Sequence, residues 1–418
     1  MKALLLSFLL LTIEAFSQSW TVVGSMPNPV SGGQAVVNGN MIYILGGYSD
    51  NDNAVVSYIQ AYNPQDNNWS IVDSMQYPRS EFVAGTFADS IIYFGGVKSL
   101  PFIYVPGSIE VWNFKSAPYI YKQDSTFARS YSTGQIVNGN LYAFGGYTPA
   151  YISNNYLFGY NIDSGRTINT VDSVSTPNLL LDQMSVIINS DIYILGGTLP
   201  GVNGYPLRTI YDFNTKTNTL TGIHAELEDS RAGGAAVESD SIIYLIGGYT
   251  QTSLATKSVS MLDLKRKEIE EERIQSLNYA RRNPMAVNYN GAIYVFGGTD
   301  QSGQVVPQVE EYNTVTGVAS SQPALPKQFE LENNYPNPFN PSTQIAFKIA
   351  VTAKVSLDVY SILGEHIKTI VNKVFSPGEY TVTWNGNNDT GSSMASGVYI
   401  YRLTSGYFTE SKKMLLLK

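Results

Sequence analysis

A Gly-Gly pair recurs six times along the chain, beginning at Gly46, Gly95, Gly145, Gly196, Gly247 and Gly297, at intervals of 49, 50, 51, 51 and 50 residues. Spacing this even implies one supersecondary unit used repeatedly, each too small to bury its apolar face alone. Each pair ends an apolar run that carries a tyrosine: MIYILGG, IIYFGG, NLYAFGG, DIYILGG, IIYLIGG and AIYVFGG. Upstream of most pairs stands a tight-turn signal such as Asn38-Gly39, Asn138-Gly139 or Asn290-Gly291. A two-residue type I′ hairpin needs positive φ at both central residues, which Asn-Gly accepts. The unit therefore reads as strand a, turn, strand b, Gly-Gly, loop, strand c, turn, strand d, and the chain as all-β.

A four-stranded unit with a period near 50 resembles the kelch repeat, one blade of a β-propeller. The resemblance covers residues 18–320 and rests on the Gly-Gly pairs, the preceding tyrosines and AYNPQDNNWSIV (Ala61–Val72). Later units depart from it, with Asn-Thr-Leu or Glu-Glu-Arg where the outer tryptophan would stand. It implies a six-bladed propeller. The sixth unit passes from QVEEYNTVTG into SSQPALP without a strand d, whereas SWTVVGSMPNP near the N-terminus has no unit before it. That segment matches NWSIVDSMQYP at an offset of 49, Trp20 with Trp69 and Pro29 with Pro78. Trp20 and Val22 are therefore expected in strand d of blade six, closing the ring and removing a free sheet edge.

In an up-and-down blade the a–b and c–d turns share one face, and the b–c loops and d–a connectors share the other. The b–c loops are the longer ones, so a ligand is expected on their face. There an arginine stands 16 residues before the Gly pair in four blades: Arg79, Arg129, Arg231 and Arg281; Val30 and Leu180 replace it in blades one and four. Strand a is innermost, which puts these positions near the channel mouth. Two readings stay open. The guanidiniums could converge on a carboxylate or acidic peptide, or they could belong to the repeat and bond neighbouring carbonyls and carboxylates. Phe102, Tyr104, Tyr151, Tyr156 and Tyr205 could stack on a glycan or pack their loops. Asp50–Asn53 lacks the glycine and distal glutamate of a calcium loop, and KRKEIEEER (Lys265–Arg273) reads as an exposed strand tip.

Composition narrows the chemistry. With no cysteine and two histidines, His224 and His366, the chain has no means for the copper radical oxidation found among kelch-type propellers. The same poverty disfavours zinc hydrolysis and Ser-His-Asp catalysis. No cofactor and no metal is implied. A sialic-acid mutarotase needs only an acid/base carboxylate and a cationic anchor. Glu226, Glu228 and Asp229 near Arg231, and Glu81 near Arg79, are candidates for it. Non-catalytic binding of a glycan or acidic peptide is the leading expectation and such an isomerase the alternative. A formal charge of −8 argues against a nucleic-acid partner.

The two ends carry addresses. Residues 1–17 have one cation, Lys2, a run from Ala3 to Ile13 too short to span a membrane, and Ala15-Phe16-Ser17, which together read as a signal peptide. No later run suits a membrane-spanning helix. Residues 321–342 read as a Pro/Asn-rich linker and 343–418 as a small Ig-like β-sandwich, from QIAFKI, KVSLDVYS, HIKTIV, GEYTVTW, GVYIYRL and FTESKKMLLL. This part resembles the type A C-terminal sorting domain of the type IX secretion system. The motif begins near residue 335, with Tyr335, Pro336, Pro338, Phe339 and Pro341 in YPNPFNPST. It continues through VSLDVYSILGE, PGEYTVTWNG and ASGVYIYRL to the terminal KKMLLLK, with Lys412, Lys413 and Lys418. The resemblance implies partnership with that secretion machinery and a place beyond the outer membrane of a Gram-negative bacterium.

Overall fold

The computed structural model describes residues 19–99, 103–104, 107–148, 157–169, 171–172, 180–199, 205–222, 225–263, 270–314, 329–349, 353–375, 378–405 and 408–417. The chain divides into two compact units, Met1–Val318 and Ala319–Lys418. Among the described residues the fold is all-β, apart from a 3-10 turn at Ser125–Phe127, and no helix is long and apolar enough to cross a membrane.

The first unit is the expected six-bladed propeller. Blade one has strands a to d at Gln34–Asn38, Met41–Leu45, Tyr58–Asn63 and Asn68–Ser74, paired antiparallel in that order. Blades two to five begin with strand a at Ser80–Phe87, Thr133–Val137, Met184–Ile188 and Ala235–Ser239, and repeat the meander. Blade six takes Met285–Tyr289, Ala292–Phe296 and Gln308–Asn313 as strands a to c, and Thr21–Ser25 as strand d. The N-terminal strand thus closes the ring, with Val22 opposite Glu310 and Trp20 buried against Tyr312 at 5.0 Å. The Trp69–Tyr62 contact of blade one, at 4.7 Å, is the same device.

The hairpin turns follow their chemistry with one slip. Asn138-Gly139 and Asn290-Gly291 both have positive φ at each residue, as does Asp240-Ser241 in blade five. In blade one Asn38 pairs with Met41, so Gly39 and Asn40, not Asn38-Gly39, make the turn.

The Gly-Gly pairs stitch blades together. The second glycine's N–H donates to the carbonyl 32 residues on in Gly47→Arg79 (2.7 Å), and the series continues through Gly96→Arg129, Gly146→Leu180, Gly197→Arg231, Gly248→Arg281 and Gly298→Val30. The last bond joins blade six to blade one. The first glycine must lack a Cβ, because one on Gly145 would stand 2.1 Å from the Leu180 carbonyl oxygen. The equivalent contact at Gly297 would be 1.9 Å from the Val30 oxygen. The repeated motif is therefore an interblade contact that only glycine fits.

The second unit is a sandwich of two sheets. One holds Glu330–Leu331, Thr343–Ile349 and Gly378–Trp384; the other runs His366–Phe375, Ala353–Ser361, Gly397–Ser405 and Phe408–Leu416. Alternating residues of Thr343–Ile349, Ala353–Ser361 and Gly397–Ser405 face inward around Trp384, Tyr401 and Leu357. The Pro/Asn-rich segment expected as a linker is part of this unit through its described residues. Phe339 is buried against Trp384 at 5.6 Å, and its N–H donates to the Leu415 carbonyl. Asn337 accepts from the Leu415 N–H at 2.9 Å. Pro336 offers its carbonyl to the Thr343 hydroxyl at 2.9 Å. Tyr335, by contrast, is 80% exposed.

Candidate functional site

The four arginines do not line the channel mouth. Arg79, Arg231 and Arg281 are among the largest fully buried side chains, and Arg129 is 5% exposed. Each turns back into its own blade and donates to a carbonyl at the end of strand b: Gly95, Gly145 (3.1 Å), Leu245 (3.0 Å) and Gly297 (2.8 Å). Further contacts come from strand c and the residue just before it. Arg79 pairs with buried Glu110, and Arg281 pairs with buried Glu310 at 3.0 Å. Arg231 donates to Ser258 and Ser260, and Arg129 lies over the Phe158 ring at 5.4 Å. Of the two readings left open by sequence, the packing and not the anion site describes these side chains. Burying a charge is tolerable only when it is paired and hydrogen-bonded.

The other expected acid/base groups also lie elsewhere. Glu226 faces Arg208 at 3.7 Å, while Glu228 and Asp229 face Arg273, all largely exposed surface pairs. Tyr205 is exposed, and Tyr104 lies in a short strand with Ile103. Phe102, Tyr151, Tyr156, His224, Lys418 and residues 1–17 and 265–269 fall outside the described residues. Asp50 accepts from the Val305 N–H at 2.6 Å and so ties the loop of blade one to that of blade six.

Two residues beyond each arginine position the chain makes a second ring. Gly32, Glu81, Tyr131, Asp182, Gly233 and Asn283 all have φ between 50° and 66°. The N–H of each donates to the carbonyl of its counterpart in the preceding blade: Glu81 to Gly32, Tyr131 to Glu81, Asp182 to Tyr131, Gly233 to Asp182, Asn283 to Gly233 and Gly32 to Asn283. Six backbone hydrogen bonds close into a collar around the central channel, whose wall of a strands encloses about 440 Å³. The left-handed backbone turns each N–H along the ring and frees the side chains to lie across the mouth.

Those side chains form a connected polar group. Asn283 donates to Glu81 at 2.7 Å, and the Tyr249 hydroxyl donates to Asp182 at 2.8 Å. Arg282 sits over the Tyr249 ring at 4.6 Å, and its charge acts on both carboxyls. Burial, with the charge of Asp182, pushes the Glu81 carboxyl up to about 8 against the favourable pull of Asn283 and Arg282. Asp182 is also raised by burial. Two carboxyls, a guanidinium, a phenol and an amide at one channel mouth can bind a polar group or exchange a proton with it.

Of this group, sequence reasoning marked Glu81 and missed Asp182, Tyr249, Arg282 and Asn283. The available signal was the offset itself, since Gly, Asp or Asn, which tolerate positive φ, stands there in four of the six blades.

Comparisons with known proteins agree with this architecture. The Kelch motif family matches residues 29–76, and the FlgD Ig-like domain family matches residues 334–407. Kelch repeat and BTB domain-containing protein 1 of camelpox virus is 26% identical over 251 residues, covering 57% of this chain and 41% of that protein. A kelch domain-containing protein of Saccharolobus solfataricus is 32% identical over 135 residues, covering 31% and 18%. Alpha-scruin of Limulus polyphemus is 24% identical over 189 residues, covering 44% and 20%. The chain thus spans less than half the length of these relatives. The matched Kelch motif falls on blade one, the other blades repeat its four-stranded meander, and a match to an Ig-like domain follows them.

Proposed function

We propose that this kelch-repeat chain is a non-catalytic binding protein exported by a Gram-negative bacterium, with its ligand taken on the face that carries the collar and the b–c loops. The observation that carries the reading is the polar group at the channel mouth, set on a ring of backbone hydrogen bonds that fixes its geometry. Glycans and peptides are the ligand classes. The acidic-peptide branch loses its support, because the arginines that suggested it are enclosed in the blades. Arrays of glycans and peptides probed with the full chain test this. Collar-dependent hits should fade with Glu81→Gln and Asp182→Asn but survive Tyr119→Ser on the outer edge of blade two. Hits lost only with the outer-edge variant would overturn it.

Export rests on the N-terminal segment and on the resemblance of the Ig-like unit to a type IX sorting domain. Met414 and Leu416 are core residues, so truncating the terminal strand would damage the fold as well as the signal. Lys412→Ala with Lys413→Ala leaves that core intact and should hold the chain in the cell. Undiminished secretion would count against the sorting role.

One observation favours a second reading, a carbohydrate isomerase of the mutarotase kind. Glu81, raised to about 8 beside Arg282, has the proton affinity that a general acid/base needs near neutrality. Anomer exchange of sialic acid, followed by NMR with wild type and Glu81→Gln, decides it: a rate above background that the variant loses would establish catalysis.

A further inference from the structure

Two acceptors at the collar have no donor. Asp182 Oδ1 and Asn283 Oδ1 are both buried without a hydrogen-bond partner. They flank Gly233, where a Cβ would stand 2.4 Å from Asn283 Oδ1 and 2.9 Å from the Tyr249 ring. The Tyr249 hydroxyl donates to Asp182 Oδ2 and the Asn283 amide to Glu81, and neither reaches an Oδ1. Charge is short in the same sense. Glu81 and Asp182 bring two carboxyls, against which Arg282 sets one guanidinium. Two acceptors at the mouth lack a donor, and with both carboxyls ionised the mouth lacks one positive charge.

We propose, building on the binding role above, that the group recognised at the channel mouth is a primary ammonium, held by Asp182, Asn283 and Glu81. An ammonium brings three donors and a compact charge. A carboxylate or phosphate would add acceptors where acceptors are already in surplus, and a neutral hydroxyl would leave the charge unmet. Asp182 and Asn283 keep part of their surface at the mouth. The soft terminal torsions of Asp and Asn let a small turn present Oδ1 to an entering donor. Glu81 faces Asp182, Arg282, Asn283 and Tyr249, and with that balance it holds a proton up to about 8. That proton fills the place of the missing charge, so an ammonium must displace it. Affinity therefore rises as the pH passes through about 8.

Met184 and Met285 lie two residues beyond Asp182 and Asn283 on the channel wall, and their methyl resonances in the full chain report on the site. n-Butylammonium should shift both saturably, more tightly at pH 9 than at pH 7, while butyrate leaves them in place. Asp182→Asn should weaken the ammonium about tenfold, and Glu81→Gln should flatten the pH dependence. Shifts with butyrate instead, affinity that falls as pH rises, or no shift with either ion would overturn the proposal. The ammonium–carboxylate comparison uses the unaltered chain, so it stands even if a variant misfolds. Nα-acetyl-lysine methylamide and glucosamine, titrated in parallel at pH 7 where both amines are protonated, separate a peptide source from an amino-sugar source. Array ligands that need the collar yet do not compete with butylammonium would defeat this proposal and leave the binding role standing. Butylammonium binding with no collar-dependent array ligand would do the reverse.

Discussion

The buried glutamates of strand c stand only where an arginine faces them. Pairing register places Gln60, Glu110, Phe158, Tyr211, Ser260 and Glu310 at one position of strand c. Opposite them stand Val30, Arg79, Arg129, Leu180, Arg231 and Arg281. Where the arginine is absent the strand c residue is uncharged, Gln60 or Tyr211; buried Glu110 and Glu310 occur only opposite arginine. Arg79→Val would strand Glu110 in the blade and should cost about 3–5 kcal/mol in chemical denaturation. Adding Glu110→Gln recreates the Val30–Gln60 combination of blade one and should recover most of the loss. Equal destabilisation by the single and double variants would show that the pair is not the reason for the cost. Glu81 differs because its carboxyl is held protonated in the folded chain. Its folded value, about 8, lies above its ordinary one, so its contribution is complete at acid pH and is lost as pH rises toward 8. Glu81→Gln keeps the acceptor for Asn283 and removes the titration. Its melting temperature should match wild type at pH 5 and exceed it at pH 8, and an unchanged difference across that range would exclude this origin.

At the scale of elements, closure by a borrowed strand was legible because Trp20–Pro29 repeats the pattern of Trp69–Pro78. The apolar periodicity and turn chemistry placed the blades for the same reason, since both are local. The direction of the arginines was not legible. It is set by partners in strands b and c that lie 14 to 31 residues away in sequence. The residues two positions later, Gly, Glu, Tyr, Asp, Gly and Asn, share a conformation rather than a side-chain chemistry. A scan for repeated residues passes over such a position, and so the collar and its acids stayed hidden while the recurrent arginine drew attention. The closing strand can be weighed directly. It contributes the Trp20–Tyr312 contact and the Asn278 bond to the Trp20 carbonyl at 3.0 Å. Losing it would leave Gln308–Asn313 as an open edge. Deleting Trp20–Val23 should replace one sharp propeller melting transition with a broad one and speed hydrogen exchange in blade six first. A sharp, unshifted transition would mean that strand d is dispensable to the ring.

For the molecule as a whole, the boundary between the two units decides which pieces can stand alone. The sandwich core was legible strand by strand, because its inward residues alternate. Its beginning was not, because prolines separated by asparagines look like a connector when only local propensity is weighed. The structure uses them otherwise. Glu330–Leu331 extends the small sheet by pairing with Phe347 and Lys348, Leu331 is fully buried, and buried Asn334 donates to Thr343 at 2.9 Å. Phe339 packs with Trp384 and Leu416 in one core, and the Asn337 side chain covers backbone groups of Lys413 and Leu415 that would otherwise mark an unpaired edge. A fragment cut at 343, where the strand pattern becomes obvious, would therefore lose a buried phenylalanine, worth about 3–5 kcal/mol in a core of this kind. It would also lose a strand and an edge cover. Residues 329–418 should fold alone with a cooperative transition, whereas 343–418 should expose apolar surface and bind a hydrophobic dye. Within the longer fragment Phe339→Ala should reproduce much of that loss. If the two fragments melt alike, the Pro/Asn segment is after all a connector, and its contacts with the terminal strand contribute nothing to the fold.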